Sequence, residues 1–293
     1  MNVSTPKDRP RADRVGVIDV GGGLRGAFGA GVLDRCLDEG VSFDVCLGVS
    51  AGSGNMVAYL AGQRGRNRLF YTEYPQRKEY MSVRNLVTKG SYLDLDYVYS
   101  VLSNSDGEYP LDYDALLENP AALVVVATDA LAGKAVYFRK ADLKRDDFGI
   151  LKASSGIPVV CRPCRWEGGT YFDGGIADPV PLARAFAEGC ARVVVVLTRP
   201  RSYLRSFKRD RFAYRMLRRR FPRAAEALRG RAARYNLGVA CALELEREGR
   251  ALVVAPDDCC GADTLTRDPA CLERLYEKGY EAARAVPAFA RGA

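Results

Sequence analysis

Gly48-Val49-Ser50-Ala51-Gly52 follows an apolar run over residues 43–47 and leads into a stretch with helical composition over 51–63. The pattern predicts strand, tight turn and helix, with a serine at the apex. Such a turn crowds its neighbours, so the positions two before and two after the serine must be small; here Gly48 and Gly52 hold them. The geometry lifts the serine hydroxyl clear of the sheet edge and points it at solvent. It also sets it beside the free N–H groups and positive dipole end of the next helix. Ser50 is therefore a candidate nucleophile on an elbow. A chain with 29 glycines can present G-x-S-x-G by chance, so the flanking stretches decide.

At 293 residues the chain can bury a large core, as one α/β domain or two smaller ones. Its 48% hydrophobic and 27% charged residues suit a soluble globular protein, and no apolar run approaches a membrane span. Residues 1–14 are polar and lack the apolar centre of a signal peptide, so a disordered leader and a cytoplasmic location are expected. Nine scattered cysteines point to reduced thiols, and Cys161-x-x-Cys164 has no second pair to complete a zinc site. The chain has no histidine. That excludes a Ser-His-Asp triad, a Cys-His pair and a histidine-ligated metal. If Ser50 is a nucleophile, another group must take its proton.

A compact apolar strand over 15–20 runs into Gly21-Gly22-Gly23-Leu24-Arg25-Gly26, and a helical pattern over 27–39 follows. The loop matches G-x-G-x-x-G, which invites a dinucleotide reading. A dinucleotide fold would end its second strand in an acid for the ribose; here that strand ends at Ser50. The better reading is an anion nest: glycine N–H groups in a concave loop, a helix N-terminus and one arginine. Gly21, Gly22, Gly23, Arg25 and Gly26 are thus candidates for an oxyanion hole.

Further on, strands are expected over 122–127, 135–139, 159–161 and 193–197, with a helix over 141–154. The tyrosines between 65 and 103 read as packing residues, some of them lining a pocket. A short aromatic strand ends in Asp173-Gly174-Gly175. Asp-Gly is a common hairpin turn. With Ser50 in the chain and histidine absent, Asp173 is the leading candidate base. A carboxylate of ordinary pKa, about 3.9, is weak for that task, and burial would raise its proton affinity.

The glycine–arginine nest, the elbow and the Asp173-Gly174-Gly175 turn, in that order, resemble the bacterial patatin-like phospholipases. Ala153-Ser154-Ser155-Gly156-Ile157-Pro158 also resembles a segment of that family. The resemblance covers roughly 15–199. It implies a three-layer α/β fold with a central, mostly parallel sheet between helices. It also implies a Ser50–Asp173 dyad working through an acyl-enzyme, with an oxyanion hole around Gly22 and Gly23 and help from Arg25. No cofactor, metal or calcium is expected. Relatives of this subgroup often carry an acid directly before the triple glycine; here Val20 stands there and Asp19 one position earlier.

After residue 198 the character changes. Residues 199–234 hold far more Lys and Arg than Asp and Glu, and Phe207, Tyr214, Leu217 and Phe221 recur at helical spacing before Pro222. Three readings stay open: a solvated helix docked by its apolar face, a helix drawn to anionic membrane, and nucleic-acid binding, for which no recognised motif is present. Helices over 237–248 and 269–285 flank a last strand over 251–255. The expected organisation is a leader over 1–14, a catalytic domain over 15–198 and a helical extension over 199–293 packed on it. The expected function is lipid acyl-ester hydrolysis. A soluble carboxylesterase or thioesterase, or a membrane-surface adaptor without activity, stands as the alternative.

Overall fold

The computed structural model describes residues 13–292, so most of the leader read over 1–14 lies outside the described residues. Strands β1 (Val15–Asp19), β2 (Val45–Val49), β3 (Ala122–Asp129), β4 (Ala135–Arg139), β5 (Cys164–Trp166), β6 (Gly169–Asp173), β7 (Arg192–Val196) and β8 (Ala251–Val254) form one sheet. The helices are α1 (Ala27–Asp38), α2 (Ala51–Leu60), α3 (Arg66–Thr72), α4 (Val83–Lys89), α5 (Tyr113–Glu118), α6 (Gly149–Ser155), α7 (Leu182–Ala187), α8 (Arg211–Leu217), α9 (Pro222–Arg247), α10 (Pro269–Ala282) and α11 (Val286–Arg291).

Strands β3-β2-β1-β7-β8 pair in parallel, and β4, β5 and β6 are antiparallel additions. β1 and β2 are buried along their whole length, as parallel strands covered on both faces must be. Alternation divides their side chains. Val15, Val17 and Cys46 join the core with Phe28, Leu33, Met56, Leu272 and Leu275 from α1, α2 and α10. Ile18, Val45 and Leu47 join Leu182, Ala185, Val239 and Ala242 from α7 and α9. The mostly parallel sheet between helix layers is the expected fold class. β8 comes from beyond residue 198 and pairs with β7, so the sheet itself crosses the boundary read there. No helix among the described residues is long and apolar enough to cross a membrane.

The register of β3 positions the site. Val124 to Val126 pair with β2 on one edge and β4 on the other. At Ala127 and Thr128 the β4 edge continues, but the opposite partner is now β6. β2 and β6 therefore share one edge of β3, approaching from opposite ends. β2 leaves the sheet after Val49, paired with Val126, and β6 ends at Asp173, paired with Ala127. Elbow and acid meet because one strand stops where the other arrives.

Three local expectations are corrected. The helix expected over 141–154 forms only from Gly149, because Asp146 takes a positive φ of 60° and Asp147 accepts from Gly149 N at 3.0 Å. The strand expected over 159–161 is absent: Val159 takes φ of 72°, outside strand geometry. The helix expected from 237 begins at Pro222, whose ring suits a first helical position, and runs 26 residues. The apolar side of the basic segment turns inward: Leu217 and Phe221 are buried with Phe172, Ile176 and Leu228.

Candidate active site

Ser50 begins α2 with φ 57° and ψ −130°. That conformation costs a non-glycine residue about 1–3 kcal/mol, and it persists only where surroundings over-determine it. They do. A Cβ on Gly48 would lie 2.4 Å from Ser53 Cα, and one on Gly52 2.3 Å from Asp19 O. Ser53 N and Oγ both donate to Ser50 O, at 2.9 and 2.6 Å. Ser50 N donates to Ser154 Oγ at 2.9 Å, and Ser154 Oγ donates to Val126 O at 2.6 Å. Ser50 is only 5% exposed. The expectation that its hydroxyl stands clear in open solvent is corrected: the residue is buried and borders two partly open cavities.

The glycine loop divides its tasks. Gly21 N donates to Asp19 Oδ1 at 2.8 Å, and Gly21 O accepts from Thr198 Oγ1. Gly21 is therefore an anchor, not an oxyanion donor. Leu24 N donates to Thr264 O at 2.9 Å. Between these ties, the N–H groups of Gly22 and Gly23 have no partner among the described residues, and both residues line the cavity beside Ser50. They are the donors available to an oxyanion. Arg25 is committed elsewhere, its Nη1 donating to Asp263 Oδ1 at 2.6 Å and Thr264 Oγ1 at 3.2 Å. Gly26 gives close packing: a Cβ there would lie 2.3 Å from Tyr71 Oη.

Asp19, one place earlier than the pattern of relatives, is the buried support of this loop. It also accepts from Asn55 Nδ2 at 2.8 Å, and Asn55 Oδ1 accepts from Tyr71 Oη at 2.9 Å. Burial pushes the Asp19 carboxyl up to about 6, against the bonds from Asn55 and Gly21 that pull it down. The folded state thus holds this proton to higher pH than the unfolded chain. Its contribution to stability should fall as pH rises from about 4 to about 6, by up to about 3 kcal/mol, and then stay level. Urea unfolding across that range should show a flatter pH dependence for Asp19→Asn than for wild type; parallel curves would contradict the assignment.

Asp173 is 3% exposed. Its N–H donates to Gly156 O at 2.9 Å and its carbonyl accepts from Thr128 Oγ1 at 2.8 Å. Its Oδ1 accepts from Gly175 N at 2.8 Å, and Gly174 opens the turn. The 153–158 segment thus holds both candidate residues: Ser154 holds Ser50 N, and Gly156 holds Asp173 N. Sequence reasoning quoted that segment without seeing this role, because its partners lie far away in the chain. Ser154→Ala leaves Ser50 N–H buried without an acceptor, so a loss of about 1–3 kcal/mol is expected in denaturant unfolding.

Ser50 sits where two cavities meet. One is lined mainly by apolar and aromatic side chains, among them Phe70, Tyr80, Leu93, Val98, Phe148 and Leu151. Arg66, buried against the Phe70 ring and bonded to Ser103 Oγ at 2.8 Å, is its one charged lining group. The other cavity holds Ser50, Gly22, Gly23, Arg25 and Asp173 together. Ser50 and Asp173 border it without a hydrogen bond between them among the described contacts.

A family model described as patatin-like phospholipase matches residues 20–186, which include the nest, the elbow and the acid turn. The chain belongs to the patatin-like phospholipase family. At that level it is grouped with ester-cleaving lipid hydrolases. In this patatin-like chain a second model, a domain of unknown function (DUF6363), matches residues 221–287, which span α9, β8 and α10. The chain is 31% identical over 205 residues to YjjU of Escherichia coli (strain K12), covering 68% of this chain and 56% of that one. It is 26% identical over 162 residues to the NTE family protein Rv1063c of Mycobacterium tuberculosis (strain ATCC 25618 / H37Rv), covering 55% and 42%. The matches thus span about half the length of these curated relatives. VipD from Legionella pneumophila aligns over 94% of this chain and 67% of its own, at 14% identity and a TM-score of 0.47.

Proposed function

We propose that the protein hydrolyses acyl esters of lipids, with Ser50 as nucleophile and Asp173 as base. The observation that carries this reading is the junction at Ser50. An apolar cavity suited to an acyl chain meets a second one that holds a buried carboxylate and two N–H groups without partners among the described residues. Ser50 Oγ attacks the carbonyl carbon while its proton passes to Asp173. The oxyanion is received by Gly22 and Gly23 N–H. The C–O bond to the alcohol breaks, and the alcohol leaves with the proton from Asp173. Water then attacks the acyl-enzyme, Asp173 takes a proton from it, and that proton returns to Ser50 Oγ as the carboxylic acid departs.

A series of p-nitrophenyl esters of rising chain length tests this directly. kcat/KM should climb with acyl length as the apolar cavity fills, and phospholipid vesicles should be cleaved. Preference for the shortest chain, with no action on vesicles, would favour a soluble carboxylesterase or thioesterase. Silence on every ester would favour the adaptor.

Contact with an anionic membrane belongs to the same proposal. Phe212 on α8 lines the mouth of the second cavity yet is 64% exposed, and Met216 one turn on is 59% exposed, among exposed arginines. Replacing both by Ser should weaken co-sedimentation with anionic vesicles by about tenfold or more, since each buries apolar area on docking. Unchanged sedimentation would remove α8 from the interface.

A further inference from the structure

The cavity that holds Asp173 has a second wall that the dyad does not use. Arg199, Arg205, Arg209 and Arg231 line it together with Arg25, and only Asp173, Asp210 and Asp263 oppose these five. Two of those acids are already engaged. Asp210 accepts from Arg205 Nη2 at 2.7 Å and Nε at 3.2 Å. Asp263 takes Arg25 Nη1 at 2.6 Å and Arg199 Nη2 at 3.2 Å. A smaller cavity behind the glycine loop is lined by Arg25, Arg199, Arg205 and Arg231, with no acid among its lining residues. The ionised lining therefore holds more positive charge than it neutralises.

Arg231 meets its nearest acid only at ion-pair distance. Its Nη1 lies 3.6 Å from Asp210 Oδ1, beyond hydrogen-bond reach. Its Nη2 would lie 3.0 Å from a Cβ on Gly175, which puts the guanidinium against the Asp173 turn. Burial, and after it the neighbouring Arg205, hold its pKa below the usual arginine range. Arg25 and Arg199 each keep a buried Nε without a partner among the described residues. Guanidinium donors in a planar fork suit a tetrahedral oxyanion better than a point charge would.

With the acyl chain in the apolar cavity and the carbonyl at Ser50, the alcohol side of the ester extends toward this wall. We infer that Arg199, Arg205 and Arg231 form a subsite for a phosphate group carried on the alcohol side of the ester. The wall is built by residues beyond 198, and Arg231 and Asp263 fall within the matched domain of unknown function. The C-terminal region thereby selects the leaving group while the residues before 198 cleave the ester. This inference rests on the reading of Ser50 as the acyl-accepting nucleophile.

The experiment compares wild type with Arg231→Gln and Arg199→Gln on phosphatidylglycerol and on diacylglycerol of the same acyl chains, both in neutral mixed micelles. Wild type should favour the phospholipid, and each variant should lower the ratio of the two kcat/KM values by about 10- to 100-fold, the worth of a charge-assisted hydrogen bond. Arg231→Lys should recover part of it. In parallel, inorganic phosphate should inhibit hydrolysis of p-nitrophenyl butyrate competitively in wild type and raise its thermal midpoint, with both effects weakened in Arg231→Gln. A wild type that shows no preference for the phospholipid, or variants with an unchanged ratio, would overturn the subsite while leaving the dyad intact. If the variants do not fold, the wild-type preference and its competition by phosphate decide alone. If wild type cleaves no ester, the dyad reading fails, and the phosphate effect on the thermal midpoint still decides the subsite.

Discussion

Ser50→Ala should lower ester hydrolysis by about four orders of magnitude or more, and Asp173→Asn by about three to four, with neither variant unfolded. The size follows from the absence of any substitute. The chain has no histidine, so no imidazole stands by to replace the carboxylate. Survival of the fold follows from what each change leaves behind. Alanine removes only an oxygen whose residue is held by its backbone, through Ser154 Oγ and Ser53. Asparagine at 173 keeps an oxygen to accept from Gly175 N, and the backbone ties to Gly156 and Thr128 do not involve the carboxylate. What asparagine cannot do is receive a proton. On the proposed mechanism the two residues act as one unit, so the double variant should be scarcely worse than Ser50→Ala. Steady-state rates on p-nitrophenyl butyrate, with circular dichroism as the control for folding, check all three; additive losses would mean that the pair does not act together.

Gly48→Ala should both destabilise the fold and displace the elbow. The added Cβ would lie 2.4 Å from Ser53 Cα, 2.7 Å from Ser53 N and 2.8 Å from Gly52 O. All three are backbone atoms in the first turn of α2, so no side-chain rotation relieves the clash. Either α2 lifts off β2, taking Ser50 with it, or the variant does not fold. A loss of about 3 kcal/mol or more is expected from such overpacking. Activity should vanish even at low temperature, where residual folded protein remains. Gly40 is the contrast: a Cβ there meets nothing within 4 Å, and only its positive φ of 62° resists substitution. Gly40→Ala should cost about 1 kcal/mol and leave the rate per folded molecule unchanged. Equal losses in urea unfolding at the two positions would contradict the clash argument.

The parts of the fold and site that were legible in the sequence are those written in local chemistry. Glycines before and after Ser50 announce an elbow whatever the rest of the chain does, and short continuous apolar runs announce β1, β2 and β3. The absent histidine narrowed the proton acceptor to a carboxylate before any geometry was known. What stayed hidden depends on partners far apart in the chain. Ser154 reaches Ser50 across 104 residues and Asn55 reaches Asp19 across 36, and neither leaves a periodic trace. The latch of Thr264 O on Leu24 N, with Arg25 on Asp263, shows why a site read as ending before residue 198 is incomplete. Val159 shows the limit of propensity. A β-branched residue after proline reads as strand, yet the turn beside the cavity that holds Asp173 keeps it at φ of 72°.

The most direct test of the account is covalent trapping with a fluorophosphonate, followed by peptide mass spectrometry. Ser50 Oγ should displace fluoride from phosphorus and carry a single adduct, with ester hydrolysis lost in proportion to labelling. Ser50→Ala should take up no label, and Asp173→Asn should label far more slowly. An enzyme that cleaves esters with its adduct on another residue, or that keeps its activity once Ser50 is fully labelled, would contradict the mechanism proposed here.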